Sequence, residues 1–190
     1  MKITADNMKN KKITILGAGL SGIAAAKLAS HFKAEIFISD KKIKPTIKQN
    51  NITYEVGQHT KKCLECDFAI VSPGISKSTS ILNKLIINDI PILGEIEFAS
   101  RFTNSPIIGV TGSNGKSTTV TILKEIFIKK FKKTYLGGNI GIPFSFNVLD
   151  EIKNKSENPI HILELSSFQL ENISSFKPNV ACILNLSEDH

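Results

Sequence analysis

The stretch KKITILGAGLSGIAAAKLASHF, residues 11–32, passes from an apolar block through glycines into an alanine-rich segment. Ile13, Ile15 and Leu16 predict a buried strand, the glycines a tight turn, and the alanines a helix. Further strands are predicted over 34–40 (AEIFISD, ending on an acid), 52–57 (ITYEVG) and 67–75 (DFAIVSPGI, running into a Ser-Pro-Gly turn). Residues 79–89, TSILNKLIIND, have helical spacing, and 90–97, IPILGEIE, read as a short strand and its exit. FTNSP, 102–106, predicts a linker, after which the alternation starts afresh. Residues 105–131 read as strand, glycine-rich loop and helix, and 133–143 as a strand into a second glycine-rich turn. A helix is predicted over 145–154, then strand, polar turn and short helix over 159–171, and a last strand over 179–190. This is the pattern of an α/β chain with parallel sheets, divided into two tandem units over 1–101 and 102–190.

Composition alters that picture little. A hydrophobic content of 41% suits a core-forming chain and excludes a disordered one. The formal charge of +7 invites a nucleic-acid partner. The excess is almost all lysine, however, and Arg101 is the only arginine. Runs such as Lys129–Lys130 and Lys132–Lys133 follow a helical pattern and read as a solvated face near its C-terminal end. No nucleic-acid partner is expected. No apolar stretch approaches the ~18 residues of a membrane span, so no membrane partner is expected either. Cys63 and Cys66 form a single CxxC with no second pair and no histidine at ligand spacing, which reads as two reduced thiols on a helix. Three cysteines and an N-terminus without a hydrophobic leader predict a cytoplasmic setting.

Five motifs carry candidate chemistry. GAGLSG, 17–22, matches GxGxxG, with Gly17 for the turn, Gly19 for approach of a phosphate and Gly22 for helix packing. Asp40 ends the next strand, where a ribose-binding acid is expected, so the unit reads as Rossmann-like with a nucleotide-type ligand; a turn that only packs the unit is the plainer alternative. GVTGSNGKSTT, 109–119, resembles a P-loop, although strict GxxxxGK[ST] spacing fails because position 110 is Val110. Backbone N–H groups from Gly112 through Ser113, Asn114 and Gly115 to Lys116 and Ser117 can form an anion nest. Lys116 can reach the β- and γ-phosphates and the Ser117 hydroxyl can bind Mg²⁺. Glu164 ends an apolar strand, where such enzymes hold a metal. Asn139, within GGNIGIP, can meet a ligand at the second glycine turn. The terminal NLSEDH places Asn185, Asp189 and His190 after the last strand. In an open parallel sheet ligands bind at the carboxyl ends of the strands. The loop 112–117, Asn139, Glu164 and His190 are all predicted there, converging on one crevice.

With GAGLSG, SPGI, TGSNGKSTT, GGNIGIP, ELSSFQLE and NLSEDH in that order, the chain resembles the Mur ligases, ATP-dependent amide-forming enzymes of peptidoglycan synthesis, and among them the D-glutamate-adding members. The resemblance runs from about Lys11 to His190. It implies that the first unit holds the uridine-diphosphate end of UDP-N-acetylmuramoyl-L-alanine rather than a nicotinamide cofactor. Leu20 and Ser21 would meet the diphosphate. Asp40, Lys41, Ser72, Pro73 and Gly74 would lie near the uridine, with Asn139 and His190 reaching the substrate from the central unit. Gly112 to Thr118 would bind ATP, with Ser117, Glu164 and His190 holding Mg²⁺ and Lys116, Glu164 and His190 acting in catalysis. The implied reaction forms an acyl phosphate from the substrate carboxylate, which the D-glutamate amine then attacks. It also implies that the central P-loop-type domain is incomplete at residue 190, so that the chain lacks turnover alone and leaves an association-prone edge beside 180–190. A non-catalytic UDP-sugar-binding fragment, or one half of a split ligase completed by a second polypeptide, are the alternatives. A nicotinamide-dependent dehydrogenase would leave GSNGKST and ELSSFQLE unexplained.

Overall fold

The computed structural model of this protein describes residues 3–47 and 49–187. Five short apolar segments, β1 (Lys12–Leu16), β2 (Glu35–Asp40), β3 (Ile52–Val56), β4 (Phe68–Val71) and β5 (Ile92–Gly94), form one parallel sheet in the order β3-β2-β1-β4-β5. β1, β2 and β4 are buried almost throughout, which explains why they read as continuous apolar runs rather than as alternations. Helix α1 (Leu20–His31) presents Ala24, Ala25, Ala26, Leu28 and Ala29 to the interior, small side chains that bring its axis close to its neighbours. Helix α2 (Ser80–Ile87) buries Ile81, Leu82 and Leu85 against a cluster with Leu16, Phe37, Ala69 and Val71.

Two elements depart from the sequence reading: the last strand, predicted over 179–190, spans only Val180–Ile183, with 184–187 outside it, and a helix stands where a strand exit was expected. Glu95–Ser100, predicted as the exit of a strand, is helix α3, and its Glu95 and Glu97 are buried. Charged side chains argue against burial unless they find partners, and both partners lie far along the chain. The Ser145 N–H donates to Glu95, and the N–H groups of Ser174, Ser175 and Phe176 donate to Glu97 Oε2 at 2.8 to 3.0 Å. Arg101 Nη2 adds an ion pair to Glu97 at 2.7 Å.

The second sheet is built from β6 (Ile107–Thr111), β7 (Lys133–Gly138), β8 (Pro159–Glu164) and β9 (Val180–Ile183), all parallel, in the order β7-β8-β6-β9. Helices α4 (Lys116–Phe127), α5 (Phe144–Asn154) and the single turn α6 (Ser167–Leu170) accompany it. The two sheets share one apolar core. Phe144, Val148, Leu149 and Leu163 pack in the same cluster as Ile13, Ala25, Leu28 and Phe98. The segment between the sheets is held as well. Phe102 stacks on Phe32 at 4.8 Å, and Thr103 and Ser105 donate to Glu151 of α5 at 2.9 and 2.6 Å. The opposite side of the second sheet is barer. Ile122 and Ile126 of α4 and Val180 and Ile183 of β9 are each more than half exposed, and among the described residues β9 pairs on one side only.

Candidate functional site

In the first sheet the strand order reverses between β1 and β4, the point at which open parallel sheets form their ligand crevice, outside the carboxyl ends of the strands. The GAGLSG turn leaves β1 there. A Cβ on Gly22 would fall 1.9 Å from the Gly17 carbonyl oxygen, so only glycine lets α1 rest directly on the turn. Nothing lies within 4 Å of a Cβ built on Gly19, which leaves that backbone open to an approaching group. Leu20 and Ser21 begin α1, with Leu20 74% exposed. Ser72, Pro73 and Gly74 follow β4, and the Ser72 hydroxyl donates to the Gly17 carbonyl at 3.4 Å. Asp40 ends β2 and Lys41 follows it. The seven first-unit residues predicted for this site therefore stand at or just beyond the ends of three neighbouring strands; of the other two predicted, Asn139 lies in the second unit and His190 outside the described residues.

Asp40 does more than face the crevice. Its Oδ2 accepts the Ala18 N–H at 2.7 Å, and its Oδ1 accepts those of Lys42 and Ile43 at 2.7 and 2.8 Å. Burial alone would raise its pKa, but these three bonds and nearby His59 outweigh it and hold the carboxyl below the usual carboxylate range. Asp40 thus ties the glycine turn to the loop after β2.

In the second sheet β8 lies between β7 and β6, so the tips carrying Asn139, Glu164 and the glycine-rich loop are adjacent. Glu164 is 2% exposed. The Ser117 hydroxyl donates to its Oε2 at 2.7 Å and the Asn139 amide to its Oε1 at 2.9 Å. Among the described residues no lysine or arginine forms an ion pair with it. Gly138 makes the approach possible: at φ 99° it has the left-handed backbone that favours glycine, and a Cβ there would meet the Glu164 carbonyl at 2.2 Å. Lys116 opens α4 and turns its ammonium back onto the carbonyls of Gly112 and Ser113 at 2.6 and 3.1 Å, placing a cation at the mouth of the loop.

The nest is narrower than the sequence predicts. Asn185 accepts the Asn114 N–H through Oδ1 at 2.8 Å and the Ser113 N–H through its carbonyl at 3.2 Å. Its amide donates to the Asn114 carbonyl at 3.0 Å. The N–H groups left to face an anion are those from Gly115 to Thr118, at the positive end of the α4 dipole. Asn185 is thus a clasp on the loop, a role its place after an apolar strand does not reveal. Asp189 and His190 lie outside the described residues.

Two family models match the chain in succession. Residues 12–81 match the MurD N-terminal domain and residues 110–190 the Mur ligase middle domain. The chain belongs to the Mur ligase family. It is 39% identical over 199 residues to a UDP-N-acetylmuramoylalanine--D-glutamate ligase of Chloroherpeton thalassium, covering 99% of this chain and 42% of that relative. It is 42% identical to a ligase of the same name from Elusimicrobium minutum, covering 98% and 42%. The chain therefore spans about two fifths of the length of the curated relatives it matches. Among solved structures, a UDP-N-acetylmuramate:L-alanyl-gamma-D-glutamyl-meso-diaminopimelate ligase from Neisseria meningitides superposes with a TM-score of 0.59 at 18% identity, covering 95% of this chain and 62% of that one. A murein peptide ligase from Psychrobacter arcticus gives 0.57 at 19%, covering 94% and 44%. These two likenesses establish the fold.

In this Mur ligase chain the donors around Glu164 are a carboxylate and a hydroxyl, hard oxygen ligands of the kind Mg²⁺ takes. Rotation of the Ser117 hydroxyl away from Glu164 would free one lone pair on each oxygen, so the pair fits such an ion. The CxxC reading needs one correction. Cys63 stands on a 3₁₀ turn, Lys61–Leu64, that ends before Cys66, and a histidine does lie at ligand distance from it. Among the described residues no helix is long and apolar enough to cross a membrane.

Proposed function

We propose that residues 1–101 and 102–190 supply, respectively, the UDP-substrate subsite and the ATP-phosphate subsite of a ligase that joins D-glutamate to UDP-N-acetylmuramoyl-L-alanine. The observation that carries the reading is the buried Glu164, held between Ser117 and Asn139 beside the Lys116 loop, without an ion-pair partner among the described residues. A buried carboxylate left without a positive partner is costly, and the Mg²⁺ of an Mg·ATP bound at the N-terminus of α4 would supply the missing positive charge. Mg²⁺ held by Ser117 and Glu164 would neutralise phosphate charge. The N–H groups from Gly115 to Thr118 orient the phosphate chain, and Lys116 stabilises charge on the transferring phosphoryl group. The muramoyl carboxylate, presented from the side of Asn139, attacks the γ-phosphorus; the bond to the β–γ bridging oxygen breaks, ADP leaves and an acyl phosphate forms, whose carbonyl carbon the D-glutamate amine then attacks, expelling phosphate and losing a proton to give the amide. His190 is proposed as a further metal and substrate ligand. In the first unit Leu20 and Ser21 meet the diphosphate, and Asp40, Lys41, Ser72, Pro73 and Gly74 surround the uridine. We assign the D-glutamate subsite to no residue of this sequence; other residues, on the same polypeptide or a second one, supply it.

The test is a pair of titrations on the purified chain, with Mg·ATP and with UDP-N-acetylmuramoyl-L-alanine, followed by assay of D-glutamate-dependent phosphate release with and without the remaining part of a family member. Both ligands should bind, and release should require that remaining part. Affinity for the UDP substrate with none for Mg·ATP would replace this reading with a non-catalytic binding module.

A further inference from the structure

Beside Asp40, on the outer side of the first site, Glu55, His59 and Cys63 bring a carboxylate oxygen, a ring nitrogen and a thiol sulfur within 4.8 Å of one another. We propose that these three residues form a binding site for a borderline-soft divalent cation, zinc by ligand chemistry. The fold builds the cluster from three directions. Glu55 comes from the end of β3, beside Ser39 of β2 in the parallel register. The turn after Val56 carries His59 back over the strand ends, and the 3₁₀ turn that follows lays Cys63 beneath it, fully buried.

The geometry suits a small tetrahedral ion. Zinc bonds of about 2.0 to 2.3 Å place neighbouring ligand atoms roughly 3.3 to 3.7 Å apart. Cys63 Sγ lies 3.3 Å from Glu55 Oε1. The Ser39 hydroxyl, 2.7 Å from both Glu55 Oε1 and His59 Nδ1, holds the other two ligands together by hydrogen bonds that an ion would replace, with water free to take the fourth position. The remaining lone pairs of Glu55 are already oriented: Oε2 accepts the Thr60 hydroxyl at 2.6 Å, and Oε1 the Thr60 N–H at 2.9 Å. Such outer bonds fix a ligand's direction before the ion arrives. One sulfur, one nitrogen and one oxygen favour zinc over magnesium or calcium, which take oxygen alone. Glu55 and His59 are half-buried, so an ion can enter from solvent. Cys66 belongs elsewhere; its thiol donates to the Cys63 carbonyl at 3.4 Å. The ion would pin residues 55–63 beside Asp40 and so stiffen one wall of the first crevice, but the inference stands whether or not that crevice takes a UDP substrate.

Cobalt reports the site directly. The reduced, metal-stripped chain should take up one Co²⁺ with a thiolate-to-cobalt charge-transfer band and tetrahedral d–d absorption, and Zn²⁺ should bleach both. Cys63→Ser should abolish the charge-transfer band. His59→Gln, a half-exposed change that keeps the fold, should weaken binding by more than about tenfold. Cys66→Ser and Cys182→Ser should leave the spectrum unchanged. The proposal is overturned if the unsubstituted chain shows no such band, if the band survives Cys63→Ser, or if Cys66→Ser removes it.

Discussion

The two glycine turns share a plan and differ in how they treat an acid. Each follows a buried strand and opens a helix, and each has a carboxylate at the tip of the strand next door: Asp40 for GAGLSG, Glu164 for GSNGKST. Asp40 is held by three backbone N–H groups, which cannot turn away without remaking the chain. Glu164 is held by a hydroxyl and an amide, side-chain donors free to rotate. Backbone donors make an acid part of the scaffold. Side-chain donors keep it oriented yet available to a ligand. Position alone does not separate the two roles; the donor type does.

The strongest test of that contrast removes charge at the second turn. Lys116→Ala or Glu164→Gln should weaken Mg·ATP binding on the order of 10²–10³-fold, the scale for losing a charge-stabilising contact at a phosphoryl site. Binding of the UDP substrate should stay unchanged in the same calorimetric titrations. Loss of both affinities together would mean that the two turns are not separate sites. A smaller effect, on stability rather than affinity, follows from the first turn. Gly22→Ala drives a methyl group into the Gly17 carbonyl and should cost about 2–3 kcal/mol in urea unfolding, because backbone cannot yield as a side chain does. Smaller again is Asp40→Asn. It keeps the shape but turns an amide NH₂ toward at least one backbone N–H, losing that bond and the charge that strengthens the rest, and should cost about 1–2 kcal/mol while leaving Mg·ATP affinity intact. A drop in Mg·ATP affinity there would erase the distinction between scaffold acid and ligand acid.

Strands, turns and most helices were legible because buried parallel strands carry dense apolar runs and glycines mark the loops between them. Helix α3 was not, because Glu95 and Glu97 look like solvent signals and are buried only through Ser145 and Ser174–Phe176, roughly 50 and 80 residues further along. The grouping of Lys116, Ser117, Asn139 and Glu164 could be read from strand-end logic, since Glu164 ends a predicted strand and the others follow one directly or across a glycine-rich loop. Asn185 as the clasp of the loop could not, because its partners lie 71 residues away and its own segment reads only as a strand end. The Glu55–His59–Cys63 cluster was hidden for a related reason. His59 and Cys63 are four apart, as on a helix, but what joins them to Glu55 is a turn and the β2–β3 register, which no local spacing encodes.

The smallest effect, in acid, separates scaffold acids by how firmly each is held. The Asp40 carboxyl binds a proton less readily in the folded chain than in the unfolded one, since its N–H bonds and His59 outweigh burial. As pH falls below about 4, the unfolded chain takes up that proton first. The stabilisation is therefore complete above the unfolded value and is lost as pH falls through the folded one. Glu97 follows the same sign over a wider range. Burial opposes it, but the Ser175 hydroxyl, the Ser174 and Phe176 N–H groups and Arg101 draw it down to about 2. Unfolding midpoints measured between neutral pH and about pH 3 should decline less steeply for Asp40→Asn than for the unsubstituted chain, and less steeply still for Glu97→Gln. An acid limb unchanged by Asp40→Asn would mean that its backbone bonds do not depend on charge, and Asp40 would then be no more fixed in the scaffold than Glu164.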